Sequence, residues 1–253
     1  MKKTNVTALF AVFAILAVGL ACNRMQTGKT TVEKTPADNS NSASSETTKT
    51  PTTAPKDISG AYDVSGTNEN GAGNFKGTLN VTKRDKVYEF SWDTAGKKFD
   101  GVGVQNDSAV AVAFTEGNDG KGCGVVLYKI NADGSLDGKA GYWGVNESET
   151  EKAMRASGSG LVGEYDVKGT NTEGKDYTTK LSVKEEGAGY AFSWTGADAL
   201  QGFGIKQGDN VAVGFGGKQC GFVSYIVKPD GTLDGKWGGY GSTSVGTETD
   251  KKK

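Results

Sequence analysis

Histidine is absent from this 253-residue chain. Its absence removes the commonest general base and the commonest metal ligand together, which argues against a hydrolase or a zinc enzyme. Neither charge sign dominates: 29 Lys and Arg stand against 30 Asp and Glu, for a formal net charge of -1. That balance provides no basic stripe for nucleic acid and no acidic excess for a cation-binding surface. Proline is scarce at 4 residues, and the 39 glycines follow no collagen period. After residue 57 no stretch has a convincing helical period. Serine, threonine and lysine are plentiful, yet no Ser-x-x-Lys or Gly-x-Ser-x-Gly sits in a strand–turn–helix context, and no nucleophile has a partner base. The chain therefore reads as non-catalytic, with no metal set and no cofactor motif.

What is present begins with a secretory signal. Lys2 and Lys3 precede an uncharged, mainly apolar run from Ala8 to Leu20, too short for a comfortable span of about 20 residues. Val18-Gly19-Leu20-Ala21-Cys22 resembles the lipobox of bacterial lipoproteins. The resemblance implies a signal peptide over 1–21 and two acyl chains on Cys22, enough for stable membrane anchoring. Asn23 beside that cysteine is compatible with the outer membrane, so the expected location is the cell envelope, facing the periplasm or the exterior. From Cys22 to Asp57 the chain is rich in Thr, Ser, Lys, Pro and Ala and lacks aromatics. Such a segment buries too little apolar area to offset its ordering entropy and reads as a tether.

Beyond the tether one module occurs twice. Gly60-Ala61-Tyr62-Asp63-Val64 with Gly66-Thr67-Asn68 matches Gly163-Glu164-Tyr165-Asp166-Val167 with Gly169-Thr170-Asn171. Tyr88-Glu89-Phe90-Ser91-Trp92 matches Tyr190-Ala191-Phe192-Ser193-Trp194. Gly101-Val102-Gly103, Val110–Phe114, Cys123-Gly124 and Asp133–Lys139 recur as Gly202-Phe203-Gly204, Val211–Phe215, Cys220-Gly221 and Asp230–Lys236, and both copies close on Thr-Glu, at Glu151 and Glu248. The copies span 58–151 and 161–249, with 152–160 as linker and 250–253 as a basic tail.

Within a copy the apolar residues alternate: Tyr88, Phe90 and Trp92 on one face, Val110, Val112 and Phe114 on another, with Ala109, Ala111 and Ala113 opposite the latter. Asn-Gly and Asp-Gly turns separate the runs. Each copy predicts seven or eight short strands in up-and-down order. We expect an all-β chain of two tandem antiparallel meander barrels, since closure removes exposed sheet edges. The order resembles the calycin superfold of lipocalins and avidins. The motif series also resembles a family of small secreted bacterial proteins loosely labelled fibronectin-binding proteins. In that family a Trp follows Asp-Gly-x-Leu-x-Gly; Trp237 keeps it, whereas Ala140 stands in its place in the first copy.

Several groups invite a functional reading. Tyr62, Trp92, Tyr128, Tyr165, Trp194, Tyr225 and Trp237 either fill the barrels or line a small apolar pocket, and core packing is the expected role because small eight-stranded barrels are just filled by side chains. Cys123 and Cys220 are read first as buried free thiols; an interdomain disulfide stays open, provided the Cα atoms come within about 7 Å. Gly101-Val102-Gly103 lacks the third glycine and the helix of a nucleotide loop and reads as a strand bend. Asp133 with Asp137, and Asp230 with Asp234, offer too few oxygens for calcium and read as turn formers. The expected function is a lipid-anchored binding or adhesion module for a macromolecular partner, with tandem copies gaining avidity. The alternative is a carrier of a small apolar ligand.

Overall fold

The computed structural model describes residues 56–117, 120–196 and 199–253. Cys22 and the signal, together with the tether up to residue 55, lie outside the described residues. Sixteen strands follow one another. They are β1 (Gly60–Thr67), β2 (Asn74–Arg84), β3 (Val87–Thr94), β4 (Lys97–Asn106), β5 (Ala109–Glu116), β6 (Gly124–Ile130), β7 (Leu136–Tyr142) and β8 (Glu149–Ser159), then β9 (Val162–Thr170), β10 (Asp176–Glu186), β11 (Gly189–Thr195), β12 (Leu200–Gln207), β13 (Asn210–Phe215), β14 (Gly221–Val227), β15 (Leu233–Gly238) and β16 (Gly246–Lys252). All pairing is antiparallel, and the strands close into two eight-stranded barrels, as the alternation predicts.

The alternation also fixes the interiors. Tyr62, Val64, Leu79, Val81, Phe90, Val112, Tyr225 and Leu233 fill the first barrel. Tyr165, Val167, Leu181, Val183, Phe192, Val213, Tyr128 and Leu136 fill the second. Each fully buried aliphatic or aromatic side chain contributes about 1.5–3 kcal/mol. The Gly-x-Gly bend behaves as expected. A Cβ on Gly103 would lie 2.5 Å from the Phe90 ring, so the strand can cross the core aromatic only without a side chain.

The division between barrels does not follow the division between copies. The expectation that 58–151 and 161–249 each close alone is corrected by the strand order. The first barrel uses β1–β5 and β14–β16, and the second uses the continuous run β6–β13. The second barrel is thus inserted into the first between β5 and β14. Two features account for this. The 152–160 stretch is no linker: it lies in β8, continues the inward alternation at Ala153, and turns directly into β9 with Ser159 opposite Val162. That hairpin welds the end of copy one to the start of copy two. The outer faces of the central strands are apolar as well. Val102, Val104, Ala111 and Ala113 pack with Val125, Leu127 and Ala212, and Phe203 and Ile205 pack with Phe222, so these faces bury one another between the barrels. Residues 250–252 are no tail either, because they pair with β1 as the end of β16.

Two short necks carry the chain between barrels, and their described residues are 117, 120–123 and 216–220. Cys123 and Cys220 are disulfide-bonded across them with Cα atoms 5.8 Å apart, which corrects the free-thiol expectation. The pairing of Gly124 with Phe215 in one barrel and of Gly221 with Phe114 in the other draws the two necks together. They pass so closely that a Cβ on Gly216 would lie 1.8 Å from the Gly122 carbonyl oxygen, and Gly216 also has φ +114, which a residue with a side chain rarely adopts.

Candidate functional site

The two barrels share a plan at their ends. One end is plugged: Tyr62 donates to the Ile58 carbonyl at 2.6 Å and Tyr165 to the Leu161 carbonyl at 2.8 Å. Burial, followed by the nearby Asp250 charge, pushes the Tyr62 hydroxyl up to about 12. These two tyrosines are core and plug, away from any opening. The other end, where β1, β3, β5 and β15 finish in the first barrel and β7, β9, β11 and β13 in the second, carries the remaining predicted aromatics. Trp92 and Trp237 stand at the open end of the first barrel and Trp194 at that of the second. Tyr128 and Tyr225 lie deeper, fully buried.

Strand register aligns the two ends residue by residue. Val126, Trp194 and Phe215 in the second barrel correspond to Val223, Trp92 and Phe114 in the first. Ala140 occupies the place of Trp237, Tyr142 that of Gly239, Glu149 that of Gly246 and Tyr177 that of Phe75. In the first barrel Trp237 lies edge-on to Phe75 at 6.1 Å and over Gly246, whose missing side chain makes room for the indole. The space left there is about 130 Å³. In the second barrel Ala140 leaves that volume open, and a cavity of about 280 Å³ results. Its walls are Val126, Ala140, Tyr142, Tyr177, Trp194, Leu200 and Phe215, with Glu149, Glu151, Asn171, Thr178 and Thr179 supplying polar groups.

Compared with known protein families, curated proteins and solved structures, the chain finds no match.

Glu151 organises the cavity floor. Tyr128 and Tyr177 both donate to its carboxylate, the latter at 2.9 Å, and Trp194 Nε1 donates to the Tyr128 hydroxyl at 3.3 Å. At the rim Tyr142 donates to Glu149 at 2.9 Å. Burial raises the Glu151 carboxyl above its ordinary value, and the bonds from Tyr128 and Tyr177 oppose that rise. Burial, reinforced by the Glu151 charge, raises the Tyr128 and Tyr177 hydroxyls, so both remain donors at neutral pH. A carboxylate has about four acceptor positions, so two phenols leave Glu151 with capacity for a guest. No residue lining this cavity is a lysine or arginine.

The first barrel repeats the floor with Tyr225 donating to Glu248. Asp250, fully buried, stands where the second barrel has Ala153, and neither of its carboxylate oxygens has a hydrogen-bond partner among the described residues. Burial raises both carboxyls, and the negative charge of Asp250 adds to the rise at Glu248.

Sequence reading singled out the aromatics and missed the acids. Glu151 and Glu248 had a signal, since each closes its copy in the conserved-in-register Thr-Glu pair. Glu149 and Tyr142 had none, because their partners in the other copy are glycines. The Asp-Gly acids go where turn formers go: Asp133 Oδ1 accepts from the Ser135 amide at 2.9 Å, and Asp230 Oδ1 accepts from the Thr232 amide at 2.9 Å.

Proposed function

We propose that this chain is a lipid-anchored envelope protein whose second barrel binds a small ligand, without catalysis. The observation that carries the reading is the unequal filling of two barrels built on one plan. The cavity opened by Ala140 approaches the range of small-molecule sites, which begins near ~300 Å³ and joins apolar walls to a few converging polar groups. The anchor rests on Lys2, Lys3, the Ala8–Leu20 run and Cys22, and the 22–57 segment serves as its tether. The adhesion reading drew on avidity between two equal modules. The copies have instead diverged at their open ends, which favours one specialised site over two repeated ones.

The test is to fill the site as the first barrel is filled. Ala140→Trp combined with Glu149→Gly recreates the Trp237–Gly246 arrangement. Small compounds that raise the melting temperature of the intact protein are expected to lose that effect in the double variant. Compounds that stabilise both proteins equally would overturn the reading.

A further inference from the structure

The cavity of the second barrel has a chemical bias that its volume does not convey. Relative to the first barrel, its open end has gained a carboxylate at Glu149 where Gly246 stands, and two phenols, Tyr142 for Gly239 and Tyr177 for Phe75. Glu151 adds a second carboxylate on the floor. The phenols donate to these acids, and no lysine or arginine lines the space. The first barrel's smaller cavity, by contrast, includes Lys97. Around the acids stand the rings of Trp194, Tyr142, Tyr177 and Phe215.

We infer that the second barrel takes a small organic cation, an ammonium or alkylammonium group carrying a compact apolar body. This rests on the small-ligand reading above and specifies its chemistry. The apolar body lies against Val126, Leu200 and Phe215. The cationic head meets the carboxylates of Glu149 and Glu151, with the aromatic faces adding cation–π attraction. An anion would face two carboxylates and no counter-charge. A neutral ligand of equal shape would gain the walls but leave the carboxylates uncompensated.

Calorimetric titration of the full chain with isosteres separates these cases: benzylammonium and benzyltrimethylammonium as cations, benzyl alcohol as neutral form, benzoate as anion. Benzylammonium is expected to bind tenfold or more tighter than benzyl alcohol, which matches it in size, with benzoate weakest. Glu149→Gln and Glu151→Gln keep the shape and remove the charge; at Glu151 the amide keeps one acceptor oxygen for one phenol and donates to the hydroxyl of the other. Each is expected to narrow the cation preference severalfold, and the pair to abolish it while benzyl alcohol binding is retained. Glu149 is half-buried at the rim, so its variant tests the charge without disturbing the floor. Benzyl alcohol or benzoate binding as tightly as the cations would overturn the cation assignment and leave the small-ligand reading standing. Failure of all four to bind would overturn the cation assignment, and binding unaltered in the Ala140→Trp/Glu149→Gly protein would overturn both.

Discussion

Asp250 shows how a single residue sets one barrel apart from its counterpart. Its carboxyl is raised to about 8 by burial, against an ordinary aspartate near ~3.9. The folded state therefore holds a proton that the unfolded chain releases. The associated stability is complete below about pH 4 and is lost as pH climbs toward 8. Urea unfolding is expected to show a protein weaker at pH 8 than at pH 5. Asp250→Asn, which stays neutral at every pH, should reduce that slope and make the protein more stable at pH 8, because the buried site no longer competes with ionisation of the carboxyl in the unfolded chain. Glu248, also raised by burial, keeps part of the slope in the same direction. A variant less stable at pH 8, with the slope intact, would contradict the assignment. The placement of Asp250 was illegible in the sequence, because the run Asp250–Lys253 looks like a solvated tail and only pairing with β1 turns Asp250 inward.

Among elements, the strands inside each barrel were legible from period two alone: Tyr88-x-Phe90-x-Trp92 and Leu79-x-Val81 point inward as the alternation requires. The exchange between copies was written less openly. Ala109–Phe114 is apolar at every position, the pattern of a strand buried on both faces, and the outer alanines pack between the barrels. The welded β8–β9 hairpin hid behind Gly158-Ser159-Gly160, a composition shared by linkers and tight turns. At the necks, the Cys123–Cys220 bond closes a loop with a sequence separation of 97. Reduction, or Cys123→Ser with Cys220→Ser, is expected to cost about 2–4 kcal/mol in chemical unfolding. Unchanged stability would mean that the β6–β13 pairing already holds the necks without help.

For the whole molecule, the strand order makes an unusual statement about where the chain can be cut. The segment 120–219 contains every strand of the second barrel in sequence, so it is expected to fold as a monomer. The repeat 56–160 contains eight strands, but its β1–β5 and β6–β8 belong to different barrels. Expressed alone, it is expected to pair with a second copy by exchanging strands, with Cys123 linked to Cys123 across the dimer. Size-exclusion chromatography with light scattering, under oxidising and reducing conditions, checks both fragments. A monomeric 56–160 with a free thiol would show that a copy can close on itself after all.

The insertion also decides how mechanical load travels. The first and last strands lie side by side, so an anchor pulling on the leading end strains β1 against β2 and β16. The inserted barrel joins the chain of the first only at two disulfide-bridged necks, and otherwise meets it through packed apolar faces. If Cys22 anchors the chain as proposed, a pull from the membrane falls first on the more tightly filled barrel, and the barrel with the larger cavity is strained last.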